Sequence, residues 1–286
     1  MIDLHTHTTA SDGRCAPEEL VARAASAGVD VLSVTDHDTT AASAMVAAAC
    51  AKARIEFVAG IEMTAVVDGV DVHLLGYFID PESPRLAAFL AQQRVHRVER
   101  IKQMIERLAE LGVELDPDAV LSPSHHDRNK AAGRPWIARA LVNAGVVGNT
   151  REAFDRYLKR GQPAFVPRLG PTPAEVFSQI HTAGGIASIA HPGLVGRDDL
   201  IPPFVAAGLD AIEAHHSKHS ADDTARYLDM AARHRVGVTG GSDYHGDPSH
   251  DVVGIGGVAL PPELFQTLKE RCATRRATAS SASTSS

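Results

Sequence analysis

Short apolar runs alternate along the chain with longer Ala-rich amphipathic segments, the pattern expected where parallel strands are joined by crossover helices. Residues 2–4 read as a first strand. Pro17 stands where a helix tolerates a missing N–H, 18–27 follow as a helix, and Gly28 ends it. Residues 29–34 form a second strand, Thr39 or Thr40 caps a helix running to Arg54, and a third strand occupies 57–61. Asp68 and Gly69 suit a tight hairpin turn into a strand over 70–79. From 81 the rhythm changes to long helical patterns, 86–111 and 136–143, with no strong strand between them. Alternation resumes with a helix at 175–183, strands at 186–190 and 209–214, a helix at 224–234, a strand at 238–241 and a last helix at 262–273.

This rhythm divides the chain into a strand–helix domain over 1–80 and 172–278 and an inserted helical capping subdomain over 81–171. The tail, 279–286, holds only Ala, Ser and Thr, too little apolar surface to offset ordering entropy, and is expected to be disordered. A chain of 286 residues, 44% hydrophobic, has material for one large core plus an insertion. With 28 basic against 35 acidic residues the formal charge is -7, which argues against a broad duplex-DNA face but leaves room for a local basic pocket around a phosphorylated ligand. Cys15, Cys50 and Cys272 show no C-x-x-C spacing, so neither a disulfide framework nor a thiolate zinc site is indicated, and a reducing cytoplasmic location is expected. No signal-peptide pattern opens the chain, and no uncharged apolar run approaches the ~18 residues a membrane span needs. Neither a membrane nor a protein partner is expected.

Histidine is the compositional outlier, with 15 copies, many beside Asp or Thr. Metal-ligand residue types recur at the ends of the expected strands. The first ends in His5-Thr6-His7 and continues to Ser11-Asp12-Gly13; the second ends in Thr35-Asp36-His37-Asp38; the third ends in Gly60-Ile61-Glu62. The hairpin supplies His73, a later strand ends in His191-Pro192, and the last ends in Gly241-Ser242-Asp243-Tyr244-His245. Strand residues two apart face one side, so His5 and His7 can share an ion. Met singly, each group has a plain structural use: Asp36 or Asp38 as a helix cap, Glu62 as an edge charge, His73 as a half-exposed strand residue. Their conjunction at strand ends is what one mouth of a β/α barrel would gather.

These motifs, in this order, resemble those of the PHP (polymerase and histidinol phosphatase) family. The resemblance covers most of the chain outside the insertion. It implies an α/β fold, a distorted seven-stranded β/α barrel of PHP type, holding two or three divalent metal ions. By the family's pattern His5, His7, Glu62 and Asp243 would hold one ion, Glu62 would bridge to a second held also by His73 and His191, and Asp12, His37 and His245 would hold a third. Imidazole and carboxylate ligands without thiolate suit manganese, zinc or iron, with manganese the first choice. A bridging carboxylate such as Glu62 would hold ions close enough for a shared water to lose a proton near neutral pH, and would orient the resulting hydroxide toward phosphorus.

The insertion carries His125-His126-Asp127-Arg128-Asn129-Lys130 and Gly133-Arg134-Pro135-Trp136, cations beside the chain's single tryptophan. A Gly-Arg-Pro motif opening a helix in such an insertion resembles the family's substrate-phosphate clamp, which makes Arg134, Pro135 and Lys130 substrate-binding candidates, with Arg97 and Arg100 on the preceding helix. Where relatives carry His after Arg-Pro this chain has Trp136, whose indole is expected to pack the subdomain rather than stack on a base. His215 or His216, at another strand end, is a candidate acid for the leaving group. The implied activity is a metal-dependent phosphomonoesterase that removes the 3'-phosphate from nucleoside 3',5'-bisphosphates, with trimming of short single-stranded RNA from the 5' end as a related capacity. A histidinol-phosphate phosphatase is the alternative within the class, and it would not need a second cationic clamp. An amidohydrolase-type C–N hydrolase also uses a His-x-His and a last-strand Asp, but leaves Asp12, His37 and His245 unexplained.

Overall fold

In the computed structural model the seven strands form one sheet whose spatial order is their order in the sequence. The structure describes residues 1–283 except Arg128 and Ser249, with the side chains of His125 and of 279–283 left aside. β1 (Ile2–Asp3), β2 (Val31–Val34) and β3 (Glu56–Val67) are parallel; β4 (Val70–Tyr77) is antiparallel to both β3 and β5 (Ile186–Ile189); β6 (Ala211–His216) and β7 (Gly237–Gly241) restore the parallel direction. Backbone bonds from Leu4 N to Gly240 O (3.2 Å), from Asp243 N to His5 O (2.8 Å) and from His7 N to Tyr244 O (2.9 Å) join the last strand to the first. The sheet is thereby nearly closed into the distorted β/α barrel that the strand rhythm and family motifs anticipate. Closure requires a glycine at 241, where an added Cβ would lie 2.4 Å from the His5 nitrogen.

The hairpin forms as its turn residues dictate: Asp68 and Gly69 take φ of 50° and 70°, and Val67 pairs with Val70. β3 nevertheless runs well beyond the expected 57–61, because pairing with β4 carries it on to the turn. α1 (Pro17–Ser26) agrees with expectation, but α2 (Ser43–Ala53) starts late and without a side-chain cap. The hydroxyls of Thr39 and Thr40, expected to cap it, instead donate to Asn129 O and Pro81 O and tie this loop to the insertion.

The insertion contains α3 (Pro84–Glu110), α4 (Pro117–His126), α5 (Arg134–Asn143), α6 (Thr150–Ala153) and a π-helical turn, Phe154–Leu158. α4 escaped the apolar pattern because Pro123 and two histidines obscure it, although Asp116 caps it by accepting from Asp118 N at 2.9 Å. Ile101, Met104, Leu108, Leu121, Trp136 and Ile137 belong to a hydrophobic cluster of the insertion's own, separate from the barrel core, which draws residues from all seven strands. α7 (Pro173–Thr182), α8 (Pro192–Val195), α9 (Ile201–Ala207) and α10 (Ala221–His234) follow, the last opened by a Ser220/Asp223 capping box.

α11 (Pro262–Ser283) reaches into the stretch from 279 whose composition is too poor in apolar residues to pack, since an Ala/Ser run attached to an established helix keeps adding backbone hydrogen bonds without a new nucleus. Residues 284–286 of the tail expected to be disordered lie outside the described residues. The three cysteines are buried and unpaired, and no described helix is long and apolar enough to cross a membrane.

Candidate metal centre

The strand ends of the barrel converge on Glu62, which is almost completely buried. On one side of its carboxylate, Oε2 lies 3.4 Å from His5 Nε2, 3.3 Å from His7 Nε2 and 3.2 Å from His37 Nδ1. On the other side, Oε1 lies 2.7 Å from His73 Nδ1 and 3.3 Å from His191 Nε2. Asp243 Oδ1 stands 3.4 Å from His5 Nε2 and 3.2 Å from His7 Nε2. Asp12 approaches His245 Nε2 at 3.3 Å, His37 Nε2 at 3.6 Å and His7 Nδ1 at 3.7 Å. The metal-ligand types singled out at the strand ends are thus gathered around one mouth.

The donor set fits divalent ions. Both ring nitrogens of His7 and Nδ1 of His191 are buried without a hydrogen-bond partner, although Nε2 of His7 lies close to two carboxylates: the atoms converge without being aimed at one another. Ligand atoms within 4.8 Å of each other form the sets His5/Glu62/His191, His37/Glu62/His73, His7/Asp12/His37/His245 and His5/His216/Asp243. Two of these sets share Glu62; the others group His7 and His37 with Asp12 and His245, and bring His216 together with His5 and Asp243.

Electrostatics favours ionised carboxylates here. Burial alone would raise the Glu62 carboxyl, yet His37, His73 and His5 hold it well below the usual range, and Asp243 is held down likewise by His5 and His245. Burial pushes His37 down to about 3. His245 is carried up to about 10, because Asp12 and Asp243 outweigh its burial. Asp38, His191 and Asp243 all adopt left-handed φ, at 48°, 30° and 55°. Such conformations cost on the order of 1–3 kcal/mol each and persist where surroundings over-determine them. Here each N–H is held: Asp38 N donates to Glu62 O at 2.8 Å, Asp243 N to His5 O at 2.8 Å, and His191 N to Glu213 Oε2 at 2.6 Å.

A bulge between Glu213 and His215 in β6 decides the two candidate acids. Strict alternation would turn His215 the same way as Glu213, whereas the bulge shifts the facing set so that His216 points inward, Nε2 3.5 Å from Asp243 Oδ2. Neither histidine lines the cavity described next. Glu213, Lys218, His250 and Arg168 escaped the sequence reading; a charged residue inside the buried run 209–214 was the available signal for Glu213. Lys218 Nζ lies 3.6 Å from Asp243 Oδ2 and 2.9 Å from His250 Nε2.

A cavity of about 420 Å³ opens on the cluster. Its lining combines Asp12, His37, Glu62, His73, His191 and Asp243 with a wall of Arg97, Arg100, Arg134 and Arg168. Arg97 Nε and Arg168 Nη2 each donate to Asp38 Oδ2 at 2.6 Å. Arg100 Nη1 and Arg134 Nη2 lie 3.4 Å and 3.9 Å from Asp71 Oδ2. Four guanidiniums therefore meet two carboxylates, leaving surplus positive charge on this wall. Arg97 is heavily committed, donating also to Ala132 O and Thr64 Oγ1. Arg134 donates from Nη1 to Leu158 O at 3.5 Å, stacks over Phe154 and Phe165 at 5.7 and 6.0 Å, and lines the cavity. Pro135 lines the cavity beside it, Lys130 is not among the lining residues, and Arg128 lies outside the described residues.

Trp136 packs inside the insertion as expected, and its Nε1 donates to Ser11 O at 3.1 Å. Together with Ala131 N to Ala10 O (3.2 Å) and Arg139 Nη1 to Asp12 O (3.2 Å), this staples the loop carrying Asp12 to the insertion. Trp136→Ala is expected to lose roughly 3–5 kcal/mol in denaturant unfolding, and Trp136→Phe, which chiefly loses the N–H bond, about 1 kcal/mol. Unchanged stability of the alanine variant would remove the staple role.

Comparisons with known proteins point the same way. The PHP domain pattern matches residues 3–96. The chain is 38% identical over 258 residues to the 3',5'-nucleoside bisphosphate phosphatase of Chromobacterium violaceum, covering 88% of this chain and 90% of that one. It is 33% identical over 250 residues to the 5'-3' exoribonuclease Rnm of Escherichia coli, covering 85% and 84%. Among solved structures, a Bifidobacterium adolescentis protein assigned as a metal-dependent phosphoesterase superposes with a TM-score of 0.87 at 33% identity, over 94% of this chain and 95% of that one.

Proposed function

The chain belongs to the PHP family of metal-dependent phosphoesterases, and from that premise we propose that it removes the 3'-phosphate from nucleoside 3',5'-bisphosphates, giving the 5'-nucleotide and phosphate. The observation that carries this reading is a single cavity lined both by the ligand cluster and by four arginines. A substrate with one phosphate leaves the arginine wall without a partner; a bisphosphate can use both the cluster and the arginines.

In this reading His5, His7, Glu62 and Asp243, then Glu62 with His73 and His191, then Asp12, His37 and His245 hold two or three ions, manganese first, with zinc or iron as alternatives. Bound there, divalent ions supply charge neutralisation for phosphoryl oxygens and lower the pKa of water toward neutrality. Glu62 serves both halves of the cluster because its two oxygens face different imidazoles. Lys218 brings a positive charge beside Asp243, where it attracts the reacting phosphate. Arg134 offers a planar fork to the other phosphate, with Pro135 shaping the wall beside it. Arg97 and Arg168, fixed by Asp38, hold that wall to the barrel. The insertion, over 81–171, acts as the cap that carries most of this wall and excludes water from the substrate.

The first nucleotide of a 5'-phosphorylated RNA presents the same two phosphates, the 3' one as a diester. Trimming of short RNA from the 5' end is therefore the second reaction of this site, a reading supported by the similarity to the exoribonuclease. With manganese present, adenosine 3',5'-bisphosphate is expected to yield 5'-AMP and phosphate, and to be turned over faster than histidinol phosphate. Product analysis that finds mainly 3'-AMP would reverse the orientation, and preference for histidinol phosphate would replace the substrate class.

A further inference from the structure

Glu213 has no exposed surface and is not part of the cavity lining, yet both of its oxygens are engaged. Oε1 lies 2.9 Å from Nδ1 of His5, and Oε2 accepts the backbone N–H of His191 at 2.6 Å. These partners come from different strand ends, after β1 and after β5. Each presents its ring Nε2 to Glu62: His5 Nε2 stands 3.4 Å from Oε2 and His191 Nε2 3.3 Å from Oε1. One buried carboxylate therefore touches two members of the cluster from behind, one through its ring and one through its backbone.

We infer that Glu213 is a positioning residue that keeps the proton of His5 on Nδ1, so that its Nε2 lone pair faces Glu62, and holds the left-handed backbone of His191, so that this ring too is kept facing Glu62. The inference rests on the reading of this cluster as a metal centre. Its logic is a count of donors and acceptors. A carboxylate accepts at both ends, whereas a carboxamide accepts at one and donates at the other. In Glu213→Gln the amide nitrogen must face one of two partners. Turned toward His5, its N–H demands a lone pair on Nδ1 and moves the ring proton to Nε2, where a metal would bind. Turned toward His191, it sets donor against donor at a residue already at φ 30°. Neither orientation leaves both ligands in place, although the substitution changes side-chain volume little.

The test compares metal-free wild type with Glu213→Gln in a manganese titration, reading free ion by electron paramagnetic resonance. The variant is expected to bind at least one ion roughly 10- to 100-fold more weakly. Equal affinity and stoichiometry in a folded variant would overturn the inference. A second measurement needs no variant: the histidine ¹⁵N spectrum of zinc-loaded wild type should show His5 protonated on Nδ1 with Nε2 as the ligand. The opposite assignment would overturn the positioning role even if Glu213→Gln fails to fold. Wild-type protein that takes up no metal would instead remove the metal-centre reading itself, and this inference with it.

Discussion

Glu62→Gln protein is expected to release phosphate roughly 10³-fold more slowly than wild type or worse, and to copurify with fewer divalent ions. The substitution is nearly isosteric, so the loss would come from chemistry rather than from a cavity. Glu62 Oε2 faces His5, His7 and His37, and Oε1 faces His73 and His191. A carboxamide turns a donor toward one of these groups and removes the negative charge that both share. The effect should exceed that of replacing His73, which touches only one side of the carboxylate. Phosphate release at the wild-type rate from Glu62→Gln, or full activity after exhaustive chelation with metal verified as negligible, would end the metal-centre assignment.

The second large effect is one of substrate dependence. Arg134→Ala is expected to lower kcat/KM for a nucleoside 3',5'-bisphosphate by ~2–4 kcal/mol, the scale of a charge-assisted contact that orients the substrate. That corresponds to roughly 30- to 1000-fold. On a nucleoside 3'-monophosphate the same variant should match wild type, both being slow, because the contact to the second phosphate is absent from the start. Arg134→Lys should fall between, since an ammonium keeps the charge but not the fork. Arg100 and Arg168 remain on the wall in these variants, which places the expected loss nearer the lower bound if they shift toward the phosphate. Equal losses on both substrates would place Arg134 at the reacting phosphate or in the stack on Phe154 and Phe165.

The strand ends were legible because barrel strands leave a local signature: a short apolar run followed by His, Asp or Glu. His5, His7, Glu62 and Asp243 were all visible in this way, and Asp68 with Gly69 marked the hairpin by backbone chemistry alone. The wall of the cavity was not legible to the same degree. Arg134 stood out through Gly-Arg-Pro, but Arg168 has no local motif; it matters because it meets Asp38, 130 positions earlier in the chain. Lys130 had the charge and lay near the motif, yet the turn between α4 and α5 leaves it out of the cavity lining. Composition alone left the helix end at residues 279–283 illegible, since low apolar content speaks against a packed segment but not against the continuation of an existing helix.

What the sequence by itself determined is the set of residue types at the strand ends and, through motifs that resemble those of the PHP family, the α/β barrel and a metal-dependent phosphoesterase chemistry. Those properties follow from neighbours in the chain: period-two alternation, turn residues and motif spacing. Only the tertiary structure decided which imidazoles face which oxygen of Glu62, that Glu213 links His5 to His191, and that a bulge in β6 turns His216 rather than His215 toward Asp243. Each depends on register between strands brought together by barrel closure. A shift of one residue exchanges the two faces of a strand without changing a single letter of the sequence.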